Sequence, residues 1–235
     1  MSINKLVKIG SISIGVLMAN LSYADTLNSD NEKEIDFSDP TVVYSSVELA
    51  YGSEGSTLGL GFATSLNDNW GALAKYEAKE DLQLHRLRVA STSTEQGTGF
   101  MLDYIWDTDF ANADAHSLVF NGLQVLPLGD KAIFVPMVGA GFTSNDFSEN
   151  RAYIGMAQAM VVYNFTSEVW INLIPQYSYG FNALEMKNAP DINIRKFEFE
   201  SVLGYRFKGN QNVRLMYKYN EDKDHEGTIS YTYAF

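Results

Sequence analysis

The sequence predicts an all-β fold, an antiparallel up-and-down transmembrane β-barrel of twelve strands, with ten as the alternative count. Three observations carry this. Polar and apolar residues alternate with period two from about residue 41 to the C-terminus, and sustained helical spacing is absent. The 14 Tyr, 14 Phe and 3 Trp gather toward the ends of the alternating runs, where amphipathic rings meet a membrane interface. No stretch of about 20 apolar residues, as a membrane-spanning helix needs, follows the N-terminus.

Composition removes several function classes. The 235 residues carry 29 acidic against 17 basic side chains, a net charge of -12, which repels the phosphate backbone and argues against a nucleic-acid partner. The absence of cysteine excludes disulfides, thiolate metal sites and a lipid-anchored N-terminus.

The N-terminal region reads as an export signal. Lys5 and Lys8 precede an apolar Ile9–Met18 core that ends in Ser22-Tyr23-Ala24, so residues 1–24 form a signal peptide with a small-x-small cleavage site. The apolar core is too short for an anchoring helix. Residues 25–40 lack apolar periodicity and alternate polar with charged groups, which predicts a mobile, acidic periplasmic N-terminal arm. The barrel is expected over 41–235.

Within it, Val43, Val47, Leu49 and Tyr51 mark the first run and Leu58, Leu60 and Phe62 the second. Ten more runs lie near 70–77, 82–91, 97–106, 115–127, 131–142, 152–164, 168–179, 193–207, 212–220 and 227–235, each long enough for a tilted strand to cross a bilayer. Short polar breaks such as Asn67-Asp68-Asn69, Gly129-Asp130 and Thr166-Ser167 fall on the periplasmic side. Longer loops, Asp107–Asp114, Thr143–Arg151, Gly180–Ile192 and Asn220–Glu226, fall outside. Leu82–Val89 alternates poorly and is the weakest strand. Pro136 and Pro175 lie inside runs, so they mark either bulges or misplaced strand limits.

Phe197, Phe199, Ser201, Leu203, Tyr205 and Phe207 place rings at both ends of one stripe, as do Phe100, Leu102, Tyr104 and Trp106. A water-soluble sandwich also alternates, but its apolar faces converge on one core, whereas here nearly every run carries an outward apolar stripe. The chain closes on Ile229, Tyr231, Tyr233 and Phe235 at alternate positions. This ending resembles the C-terminal strand of Gram-negative outer-membrane β-barrels, and in size and strand number the chain is similar to the small monomeric porins, including those for acidic oligosaccharides. The resemblance implies residence in the cell outer membrane among lipid and lipopolysaccharide. It also implies handling by periplasmic chaperones and the barrel assembly machinery, with Tyr231, Tyr233 and Phe235 as the assembly signal.

The opposite parity is expected to line the lumen with Glu48, Lys75, Glu77, Arg86, Arg88, Asp103, Lys196, Glu198, Glu200, Arg206, Arg214 and Lys218. Such charges are too costly against hydrocarbon, so water or ion pairing must satisfy them. The functional expectation is a porin-like channel for passive diffusion of small hydrophilic solutes, anionic or oligosaccharide among them, without a cofactor. The alternatives are a plugged structural or adhesive barrel and, behind it, a membrane-embedded hydrolase. Within the lumen, Lys196, Glu198, Glu200, Arg206, Arg214 and Lys218 are candidates for a selective constriction. No enzyme is expected: of the three histidines, His116 adjoins Ser117, and adjacent strand residues face opposite sides.

Overall fold

The computed structural model describes residues 35–110 and 113–235. The expected signal peptide and residues 25–34 of the expected arm lie outside the described residues. Thirteen strand segments form one closed antiparallel sheet: β1 Ser46–Gly52, β2 Gly55–Ser65, β3 Trp70–Lys79, β4 Leu84–Ser93, β5 Thr98–Phe110, β6 Ala113–Gln124, β7 Leu126–Pro127, β8 Ala132–Asn145, β9 Ala152–Asn164, β10 Val169–Gly180, β11 Arg195–Phe207, β12 Gln211–Asn220 and β13 His225–Ala234. Closure comes from β13 returning to β1, from Ser46↔Ala234 to Gly52↔Thr228. Because β6 and β7 both lie on β8, they are one interrupted stave, and the barrel has twelve. The weakest expected strand is complete, since all ten residues of β4 pair on at least one side.

The prolines explain the interruption. Leu123↔Met137 and Leu126↔Phe134 share one register, and the missing pairs between them lie beside Pro136. On β10 the ladder to β9 skips Ile174 and Pro175 between Leu173↔Val161 and Gln176↔Gln158, again without a shift. Each ring removes an N–H from one side of a strand while its other side stays paired, Pro136 with Ala159 and Pro175 with Phe199. Neither proline marks a bulge or a strand limit.

Side-chain alternation sorts the wall into two faces. Outward lie Leu49, Tyr51, Leu60, Phe62, Val138, Leu215 and Ile229, all large, apolar and exposed. Aromatic stacks band this face, as in Trp70–Phe100–Phe120 near one end and His85–Trp106–His116 near the other. Inward, the face divides. Ion-pairing residues come from β1, β3–β5 and β11–β13, while β5–β10 contribute buried Met101, Val119, Val135, Met137, Ile154 and Met160 with a few amides among them.

Chain segments outside the wall pack at both ends of the interior. At the end holding the C-terminus, residues 35–45 fold across the mouth, with Phe37 and Val43 each 1% exposed. The Ile35 N–H donates to the Gly209 carbonyl at 3.0 Å, and Thr92 Oγ1 donates to the Thr41 carbonyl at 3.0 Å. The Ser45 carbonyl accepts from the terminal Phe235 N–H at 3.0 Å. Ile35–Pro40 is therefore packed, not a mobile arm, because Phe37 buries against Tyr44 edge to face and brings the acidic residues with it. Thr41–Ser45 belongs to this mouth segment as well, and the wall begins at Ser46.

At the opposite end the expected Gly180–Ile192 loop is a small hairpin. Leu184 and Ile192 exchange backbone hydrogen bonds at 2.9 and 3.0 Å, and Leu184 is fully buried. Lys187 N–H donates to the Phe147 carbonyl at 2.9 Å, which ties the hairpin to the β8–β9 loop. The expected Asp107–Asp114 loop is mostly strand: β5 and β6 stay paired to Asp107↔Ala115 and, past a bulge, Phe110↔Ala113.

Candidate functional site

The candidate site is the polar half of the interior. Glu48 enters from β1, and its neighbour β2 presents only small residues there. A Cβ on Gly59 would stand 3.1 Å from Glu48 Cβ and 3.5 Å from Lys75 Cε. That gap lets Lys75 of β3 cross β2 and donate to Glu48 Oε2 at 2.7 Å. On the other side, Arg214 of β12 reaches Glu48 Oε1 at 2.8 Å while bonding Ser230 and Thr232 of the intervening β13 at 3.2 Å each.

From Lys75 the chain of charges continues around the wall. Lys75 Nζ lies 3.1 Å from Glu77, and Arg86 lies 3.7 Å from the same carboxylate. Arg86 and Arg88 both clasp Asp103, through Nε at 3.0 and 2.9 Å and through Nη2 at 3.1 Å. Seven side chains of alternating sign thus form one network, and Arg86, Arg214, Glu48 and Glu77 are each 1% exposed. Charges so enclosed persist only because each meets a counter-charge.

A second, smaller network occupies β11 and β12. Lys196 and Lys218 approach Glu198 Oε1 at 3.1 and 3.2 Å, and Lys218 also reaches Glu226 at 3.3 Å. Gln176 donates to the other Glu198 oxygen at 3.3 Å. Glu200 faces the same region, one row away from Glu198.

The proposed constriction is therefore not one cluster. Lys196, Glu198 and Lys218 meet, Arg214 belongs to the Glu48 network, and Arg206 sits at the C-terminal end of the barrel. There its Nη1 donates to the Ile35 carbonyl at 2.7 Å, and a cavity of about 370 Å³ lies beside it, bounded by Asp36, Lys131 and Thr166. A smaller space of about 60 Å³ opens at the other end among Glu48, Glu54, Lys79, Glu80 and Glu226.

Two features had no expectation from sequence: the mouth segment and Trp170. The indole fills the space beside Gly204, where any side chain would collide with it, and it is 2% exposed. Apolar Phe37, Val42, Val43 and Tyr44 inside an acidic stretch were the available signal for the first.

The three histidines lie on the outer face and share one arrangement. His85, His116 and His225 each share a hydrogen bond through Nδ1 with the hydroxyl of a tyrosine on the adjacent strand, Tyr76 at 2.7 Å, Tyr104 at 2.9 Å and Tyr217 at 2.6 Å. Ser117 points the other way, buried and donating to Thr143 Oγ1 at 2.8 Å. Among the described residues no group of three or more His, Asp or Glu side chains is arranged to hold a metal ion.

At the C-terminus Tyr231, Tyr233 and Phe235 project outward at 36%, 41% and 68% exposure on the strand that closes the barrel.

Comparison with known proteins places the fold. No protein-family profile and no curated protein matches the chain. Among solved structures, the NanC porin aligns with a TM-score of 0.55 at 11% identity, over 81% of this chain and 98% of that one. The KdgM porin in complex with disordered oligogalacturonate aligns at 0.53 and 10% identity, over 82% and 99%. An outer-membrane channel from Pseudomonas putida F1 aligns at 0.55 and 12% identity, over 89% and 100%. The chain has the fold of outer-membrane porins and channels.

Proposed function

We propose that this protein is a porin-like channel of the bacterial outer membrane for small hydrophilic solutes, and that residues 35–45 shut its periplasmic mouth. The carrying observation is that the mouth is covered by a stretch of chain preceding the wall, held through Ile35, Thr41 and Ser45, and not by the wall itself. With that segment withdrawn, the cavity beside Arg206 opens toward the periplasm, and the twelve charged residues named above become the channel lining.

The fold shared with porins supports the reading, one of them being described in complex with a disordered oligogalacturonate. The lining has seven basic and five acidic members, a mixed wall with a basic excess that favours anionic or polyhydroxylated solutes. Lipid and lipopolysaccharide would surround the aromatic bands, and Tyr231, Tyr233 and Phe235 would serve recognition during assembly.

A filled structural or adhesive barrel is the second reading, favoured by the 1% exposure of Arg86 and Arg214. Solute flux separates them. Proteoliposomes holding the chain without residues 25–43 should swell in small sugars and sugar acids, faster for the acids. Impermeable vesicles with correctly folded barrel support the filled reading instead.

A further inference from the structure

Six methionines follow residue 24, and five of them, Met101, Met137, Met156, Met160 and Met186, are buried at 8% exposure or less. Three share one patch of the apolar inner wall. Met137 of β8 lies directly opposite Gln158 of β9, and Met156 and Met160 flank Gln158 two residues to either side on the same face. The alternation is clear from Val138, which is 67% exposed on the outer surface beside Met137. On the adjacent β6, Asn121 lies over Gly139, two residues along β8 from Met137.

This patch is not a plain hydrophobic core. Gln158 is 5% exposed and Asn121 fully buried, and both amide atoms of each side chain lack a hydrogen-bond partner. A buried amide without partners costs free energy unless something else satisfies it. Thioethers together with unsatisfied amide oxygens make a polarisable, partly polar surface.

The geometry points to a binding site for a soft monovalent cation, of the Cu(I) or Ag(I) class, between Met137 and either Met156 or Met160. Thioether sulfur is a soft ligand that selects Cu(I) over hard cations. Met156 and Met160 stand about 13 Å apart along the strand at about 3.3 Å per residue, too far for one ion to touch both. Met137 is a diagonal neighbour of each, at the roughly 7–8 Å spacing that long side chains bridge. It is therefore common to two overlapping two-sulfur positions, between which an ion can pass along the barrel axis. Gln158 lies between them, with both its amide atoms free of protein partners, so its side-chain oxygen is available as a further, neutral ligand.

Ag(I), which needs no reductant, is the probe. Titrated calorimetrically into the purified, folded mature protein, it should bind, while Zn(II) and K(I) at this patch should not. Met137→Leu should abolish binding because both positions need that sulfur, while Met156→Leu or Met160→Leu alone leaves one position intact. Leucine replaces methionine in cores with little loss, and heat-modifiable gel mobility checks that each variant is folded. Methyl-labelled methionine spectra of the unmutated protein supply a second readout: Ag(I) should move the Met137, Met156 and Met160 signals and leave Met216 in place. Unaltered Ag(I) binding by folded Met137→Leu, or methyl shifts confined to other methionines, overturns the assignment. These readouts do not depend on whether the barrel conducts.

Discussion

Val43 occupies the space above Gly71, so that any side chain on Gly71 would collide with Val43 Cγ2. The glycine leaves β3 bare on its inner face at the barrel end, and the mouth segment passes through that notch. Fixing a chain segment this way depends on shape at one position, which makes it sensitive to a single substitution.

Gly71→Val should expel residues 35–45 from the mouth while the barrel stays closed, because the wall pairs of Gly71 with Thr92 and Ser65 tolerate a β-branched residue. Limited proteolysis should then cut within 35–45 in the variant and spare it in the parent protein. Equal protection in both would show that Val43 and Gly71 do not hold the segment.

Docking of the segment should also depend on pH. Burial pushes the Asp39 carboxyl above the usual carboxylate range, against hydrogen bonds from the Thr41 N–H and Oγ1 at 2.8 and 2.7 Å. A raised carboxyl binds its proton more tightly when docked than when free. Its contribution is thus complete below the ordinary Asp range and is lost as pH rises through the docked value. Proteolytic protection of residues 35–45 should increase from neutral toward mildly acidic pH, and Asp39→Asn should flatten that dependence. A slope unchanged in Asp39→Asn assigns it to another group.

Glu48 is the shared partner of Lys75 and Arg214, and its removal takes a carboxylate from both buried cations, leaving Lys75 with Glu77 and Arg214 with the Ser230 and Thr232 hydroxyls. Glu48→Ala should destabilise the barrel by about 3–5 kcal/mol, the usual cost of breaking one side of a buried ion pair. Urea unfolding in lipid vesicles measures it. A loss below about 1 kcal/mol, the range of solvated pairs, would mean that water already screens this network.

The β1–β2 turn rests on Asp81 from the neighbouring β3–β4 turn. Its carboxylate accepts from Ser56 N–H at 2.9 Å and Ser56 Oγ at 2.8 Å, and these bonds hold it below the ordinary Asp range. Gly55 has φ +101° and faces that carboxylate at 2.7 Å from where a Cβ would lie. Gly55→Ala should therefore lower the unfolding midpoint more than Gly129→Ala, which has φ +98° but open space around it. Equal losses would attribute the effect to backbone conformation alone.

Much of the architecture was legible because a barrel wall writes its two faces directly into period two. Leu84, Arg86 and Arg88 face inward and Leu87 and Val89 outward, so even the poorly alternating stretch obeys the pattern once the apolar side is read as the outer one. The pairing of charges was not legible. Lys75 reaches Glu48 only because β2 is bare between them, a fact about three strands that no single run contains. The mouth segment was hidden because acidic residues around Phe37 and Val43 outweigh the apolar ones in composition, although Phe37, Val43 and Tyr44 are all buried in it. The hairpin of 181–194 is likewise fixed by packing of Leu184, not by local sequence pattern.

Single-channel recording bears most directly on the account. Mature protein in a planar bilayer should be silent or conduct only in brief events, and the same barrel without residues 25–43 should give steady current steps with an anion-favouring reversal potential. Steps of equal size and duration from both would remove the mouth segment as the closure, and silence from a correctly folded truncated barrel would contradict the channel itself.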